Sequence, residues 1–160
     1  MRPKAIVDTL NVYFSGVTEI IETNHGMITQ FQGDAVLAVF NLPLANPCHA
    51  LSAVTAGIAI RRFVAENRFN GQQLHCRIGI NTGEVIAGNV GARDRLGYTV
   101  HGDAVNVAAR LDHLNKELGT DFLISQTCAD QLGDKTPKLR DIGNVALRGK
   151  ARYVHVLEVL

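Results

Sequence analysis

Tyr98-Thr99-Val100-His101-Gly102-Asp103-Ala104-Val105-Asn106-Val107-Ala108-Ala109-Arg110-Leu111 reads as a strand, a tight Gly-Asp turn and a helix. Val107, Leu111, Leu114 and Leu118 follow at spacings of 4, 3 and 4, the stripe of a helix with one face in a core. Asp103 stands just before that stripe, where an N-cap belongs. Asn106 and Arg110 lie four positions apart, so an amide and a guanidinium share one helix face. A polar pair beside a buried stripe, near a helix start, is a place to meet an anion.

Working outward, Phe31-Gln32-Gly33-Asp34-Ala35-Val36-Leu37-Ala38-Val39-Phe40 again sets an acidic residue in a turn. Strands over 27–31 and 35–40 flank Gln32-Gly33-Asp34 as a hairpin. Ahead of it, 5–22 has helical spacing through Ile6, Leu10, Phe14, Val17 and Ile21, with Asn24-His25-Gly26 as a stop. Behind it comes a long alanine-rich helix over 49–69, ended by Asn70-Gly71. Strands at 74–80 and 84–89 surround Asn81-Thr82-Gly83. The 103–118 helix precedes a strand at 121–124, a helical turn near 126–132, and a closing pair over 138–147 and 152–159. The coarse order α-β-β-α-β-β-α-β plus a terminal hairpin predicts an α+β fold, a largely antiparallel sheet with helices packed on it. Gly-Asp-Ala-Val occurs at Gly33 and at Gly102, but one copy enters a strand and the other a helix, so it is not a structural repeat.

With 160 residues, no low-complexity stretch and no composition shift, the chain is expected to form one domain. A net charge of +1 offers no basic or acidic bias, and no basic stripe is interleaved with aromatics, so nucleic acid is not an expected partner. Cys48, Cys76 and Cys128 form no CxxC pair, which fits a reducing, cytoplasmic setting better than a disulfide framework. No segment is apolar enough to span a bilayer, so no membrane contact is expected from this segment. The six histidines show no zinc-like spacing.

Each feature taken alone has a plain structural meaning. Gly33-Asp34 is a pair of turn formers. Asn106 is an ordinary helix residue, and Arg93, Arg95, Arg148 and Lys150 are ordinary surface cations. Gly79, Gly83, Gly88 and Gly91 let strands turn and approach. Their order along one chain is what the structural meanings leave unexplained.

Together they resemble the class III adenylate/guanylate cyclase catalytic domain, of bacterial type. The resemblance rests on Gln30 to Ala35 with Ala38-Val39-Phe40, on Arg77 to Gly83, on Gly88 to Gly91, on Tyr98 to Leu111 and on Leu147 to Lys150. It covers the chain from about Ala5 onward. Such domains convert a nucleoside triphosphate into a 3′,5′-cyclic nucleotide and pyrophosphate, at a site on a head-to-tail dimer interface. The resemblance therefore implies a ferredoxin-like βαββαβ core, ATP as substrate, a homodimer, and two Mg²⁺ or Mn²⁺ ions per intact site.

By the same resemblance Asp34 is one of two metal-bridging aspartates, since hard cations want carboxylate oxygens. Asn106 positions the ribose, and Arg110 stabilises charge building on the α-phosphate as the 3′-hydroxyl attacks. Arg93 and Lys150 match positions that contact the phosphates. Gln30 and Thr99 match the two that read the purine, where many adenylate cyclases carry lysine and aspartate. A Gln/Thr pair still donates and accepts hydrogen bonds to an adenine edge. It lacks the Glu/Cys pairing typical of guanylate cyclases, so ATP is the expected substrate and GTP the alternative. Thr99 is similar to the residue found in bicarbonate-responsive bacterial members.

The family's first metal aspartate sits in an Asp-x-x-Gly-Phe-Thr motif, which by spacing falls about a dozen residues before Met1. Asp8 belongs to the first helix and does not replace it. The first strand of the sheet and one carboxylate are thus expected upstream of this chain, and the 160 residues alone to be impaired. The competing expectation is an inactive cyclase-like module that dimerises or senses nucleotide.

Overall fold

Pro3, with its φ already fixed for a helix, opens helix α1 (Pro3–Thr23) in the computed structural model. The structure describes residues 2–91, 97–147 and 152–160. They fall into two compact units, 1–76 and 77–160.

In the first unit, α1 buries Val17 and Ile21, whereas Ile6 at its start is 45% exposed, so the apolar stripe is buried only toward its C-terminal end. His25, at φ 67°, takes the left-handed position that ends the helix. Gly26 then donates to the Ile21 carbonyl at 2.8 Å. A Cβ on Gly26 would lie 2.6 Å from the Phe40 ring, so the glycine is there for close approach. Strands β1 (Met27–Gln32) and β2 (Ala35–Val39) form the expected hairpin, Gln32 facing Ala35. Gly33 (φ 59°) carries the positive φ of its two-residue loop. A bulge between Ile28 and Gln30 shifts the register, and Gln30 pairs with Leu37.

Helix α2 (His49–Glu66) ends three residues before the expected Phe69. Asn67 leaves the helix in extended geometry, with φ −120° and ψ 153°. Asn70 (φ 54°) and Gly71 (φ 77°) form a tight reversal instead of a helix cap. Phe69 and Gln72 exchange backbone hydrogen bonds across it, at 2.8 and 3.0 Å. That seats the Phe69 ring against Tyr13 and Phe63, in edge contact with centroids 5.8 and 5.3 Å apart. An Asn-Gly pair supports either event, and packing of the aromatic ring selects the turn.

The second unit is built on a four-stranded sheet of β3 (Ile78–Ile80), β6 (Phe122–Ser125), β8 (Tyr153–Val159) and β7 (Leu139–Ala146), in that spatial order. β3 is shorter than the expected 74–80, and it pairs in parallel with β6 while the other ladders are antiparallel. β4 (Ile86–Val90) and β5 (Gly97–His101) form a separate antiparallel pair. β5 is the strand expected ahead of the Gly-Asp turn, which the coarse element order left out.

Helix α3 (Asp103–Leu118) lies against β3 and β6. Its Val107, Leu111 and Leu114 join Leu123, Leu147 and Val156 in one core cluster. Leu118 is 44% exposed and lies outside that core, because the helix runs past the sheet before Gly119 (φ 70°) ends it. The N-cap is Gly102, not Asp103. Asp103 is the first helical residue, and its carboxylate pairs with Arg152 instead of capping. A short helix α4 (Gln126–Ala129) follows β6, capped by Ser125 accepting from the Cys128 N–H. Among the described residues, no helix is long and apolar enough to cross a membrane.

Candidate active site

Two features hold α3 in place. An added Cβ at Gly79 would sit 2.4 Å from the Asp112 nitrogen and 2.6 Å from the Ala108 carbonyl, so β3 touches the helix backbone directly. Asn115, fully buried, donates to the carbonyls of Ile78 (2.9 Å) and Leu111 (3.2 Å) and accepts from the Thr120 hydroxyl (2.8 Å). A buried amide with both ends engaged satisfies the polar requirement of its site and fixes the helix on the strand.

On this rigid base, Asn106 stands exposed and Arg110 half-buried, one turn apart as expected. The Arg110 guanidinium is not aimed toward Asn106. It reaches two turns toward the C-terminus and grips Glu117, Nη1 to Oε1 at 2.9 Å and Nη2 to Oε2 at 3.5 Å. Its Nε is buried and has no hydrogen-bond partner among the described residues.

Thr99 lies on β5 opposite Gly88 of β4. Its hydroxyl approaches the Gly88 carbonyl at 3.4 Å and Nε2 of His101 at 3.1 Å. In the first unit, Gln30 follows directly on the β-bulge, and bulges re-aim side chains. Phe31 turns its ring onto Phe14 of α1 (centroids 5.0 Å apart), so strand alternation directs Gln30 to the opposite face. Asp34 is exposed at the tip of the hairpin.

The structure therefore brings Asn106 and Arg110 onto one helix face, as their spacing requires. Arg93 and Lys150 lie outside the described residues. No group of three or more His, Cys, Asp or Glu side chains able to hold a metal occurs among the described residues. Asp34 offers one carboxylate suited to a hard cation, and these residues alone do not complete a metal centre. The sequence reading overlooked Glu117 and His101. Glu117 was accessible in principle, since seven residues make two turns and return to nearly the same face.

Helix α3 thus carries an amide and a guanidinium on one face of an α+β scaffold, the guanidinium held by Glu117. The family of adenylate and guanylate cyclase catalytic domains matches residues 1–158, and the chain belongs to that family. Adenylate cyclase 1 of Rhizobium meliloti is 36% identical over 163 residues, covering 99% of this chain and 24% of that protein. The terminal-differentiation-specific adenylate cyclase of Dictyostelium discoideum is 34% identical over 161 residues, covering 97% of this chain and 8% of that one. The chain thus spans about a quarter or less of the length of these two relatives. Among solved structures, the guanylyl cyclase Cya2 superposes with a TM-score of 0.89 at 31% identity, covering 99% of this chain and 82% of that chain. The adenylyl cyclase CyaB from P. aeruginosa gives 0.82 at 30% identity, with coverage of 100% and 84%.

Proposed function

We propose that this chain acts as an adenylate cyclase catalytic domain, converting ATP to 3′,5′-cyclic AMP and pyrophosphate. One observation carries it: Asn106 and Arg110 share a face of α3, in a family whose members cyclise nucleotides. Asn106 orients the ribose, and Arg110 meets the charge that grows on the α-phosphate in the transition state. Thr99 and Gln30 contact the purine, while Arg93 and Lys150 bind phosphate oxygens. Asp34 would supply one metal ligand. Bound Mg²⁺ or Mn²⁺, which the Asp34 carboxylate would help to hold, would supply charge neutralisation to the triphosphate. The functional unit is a homodimer with sites at its interface.

ATP is favoured over GTP by Gln30 and Thr99, which together offer an amide and a hydroxyl to the adenine edge. The test is a cyclase assay on the chain carrying its native upstream sequence, with ATP or GTP and Mg²⁺ or Mn²⁺. Cyclic AMP is the expected product. Cyclic GMP alone would make it a guanylate cyclase. A folded dimer that binds nucleotide but forms neither product would make it a non-catalytic module.

A further inference from the structure

We propose that Glu117 is a positioning residue that holds Arg110 in a resting pose, from which bound nucleotide must draw it. The inference rests on the proposed role of Arg110 at the α-phosphate.

Three observations support it. The Glu117 carboxylate accepts from both terminal nitrogens of Arg110, at 2.9 and 3.5 Å, taking the fork that suits a phosphate as well as a carboxylate. The direction of reach is wrong for catalysis. Asn106 and Glu117 are separated by about 16 Å of helix, while ribose and α-phosphate are neighbouring groups of one molecule. A guanidinium drawn toward Glu117 points away from the substrate that Asn106 holds, and serving that substrate draws it back along the helix. The third observation is Nε, buried without an acceptor among the described residues. A buried donor left unmet is costly, so this pose is not the fully satisfied one that a phosphate could complete.

The pair is also weak enough to act as a latch. The Arg110 side chain is 22% exposed and that of Glu117 56%, so solvent screens the attraction and the charge that grows on the α-phosphate in the transition state can outcompete it. The same internal carboxylate that keeps the cation parked slows its delivery. Removing it should speed the chemical step without altering ground-state binding.

The experiment compares wild type, Glu117→Gln and Glu117→Ala in the chain with its native upstream sequence. At saturating ATP, kcat should rise about two- to fivefold in Glu117→Ala, the range an exposed ion pair supports, and less in Glu117→Gln, with KM unchanged. Arg110→Lys should lose activity in either background. An unchanged kcat, or a fall toward that of Arg110→Lys, overturns the proposal. A second readout does not depend on turnover. In ¹⁵N spectra the wild-type Arg110 guanidinium should rotate slowly, with or without bound ATP, and speed up in Glu117→Ala. Equal rotation in wild type and variant overturns the latch. Absence of any cyclic product from wild type removes the proposed function, while the spectra still decide whether the latch exists.

Discussion

The Thr99 hydroxyl lies 3.1 Å from Nε2 of His101, two residues along the same face of β5, and 3.4 Å from the carbonyl of Gly88 on β4. A threonine has one hydroxyl hydrogen and two lone pairs. Whichever His101 tautomer is present, that hydrogen has an acceptor within the β4–β5 ladder, either Gly88 O or Nε2. What Thr99 presents outward is then a lone pair, matched to an amino group such as N6 of adenine. Thr99→Val keeps the shape and removes the acceptor. It should lower kcat/KM for ATP about three- to tenfold, the worth of one neutral hydrogen bond. Thr99→Ser should retain most of the activity, and parallel kinetics of the two variants check this.

Gly79 seats α3 on β3. Any side chain there meets backbone atoms of α3, at 2.4 Å from the Asp112 nitrogen and 2.6 Å from the Ala108 carbonyl. Backbone in a helix has no rotamer with which to yield, so the strand or the helix must move. Gly79→Ala should destabilise the protein by about 3 kcal/mol, toward the upper end for overpacking. Urea unfolding measures that loss. Under conditions where the variant is still folded, kcat should also fall, because the helix that moves carries Asn106 and Arg110.

Much of this architecture is legible in the sequence, and the failures share a cause. Helix α3 begins at Asp103 and ends at Leu118, as read from its turn and its stripe. The β1–β2 hairpin is equally local, since Gly33-Asp34 sets its own turn chemistry. The end of α2 was misplaced because Asn70-Gly71 serves a cap or a reversal equally well, and the partners of Phe69 decide between them. The parallel pairing of β3 with β6 joins Ile78 to Phe122, and no local periodicity encodes so distant a partner. Ile6 and Leu118 continue their stripes in sequence but run beyond what covers them. The site follows the same division. Asn106 and Arg110 are legible as a spacing. The contacts of Arg110 with Glu117 and of Thr99 with His101 are rotamer choices, which sequence pattern does not record.

Cys128 gives a pH dependence of definite sign. Burial pushes its thiol up from 9.0 to about 11, a hydrogen bond with Thr82 opposing that rise. The raised value means that the folded state keeps the proton after the unfolded chain has released it. This contribution is fully present below about pH 9 and is lost as pH rises toward 11, on the order of 2–3 kcal/mol in total. Denaturant unfolding between pH 8 and 10.5 should show wild type losing stability faster than Cys128→Ala. The same burial protects the thiol chemically. At pH 8, iodoacetamide should label exposed Cys48 in the native protein well before Cys128.

The proposed interface site makes the strongest demand on the assembly. If Asp34 comes from one chain and Asn106 with Arg110 from its partner, each homodimer holds two equivalent sites, and either substitution disables both. On the proposed roles, Asp34→Ala removes a metal ligand and Arg110→Ala removes the cation at the α-phosphate. Each should fall at least a hundredfold in kcat, the scale seen when one transition-state contact is removed. A heterodimer of the two variants differs in kind. One of its sites collects both defects, whereas the other draws intact Asp34 and intact Arg110 from opposite chains. Mixing equal amounts of the variants should therefore restore activity, up to about a quarter of wild type: random exchange makes half the dimers mixed, each with one working site. Differently tagged chains, co-purified to prove that heterodimers exist, supply the control. Heterodimers no more active than the parents would mean that Asp34 and Arg110 serve the site of a single chain.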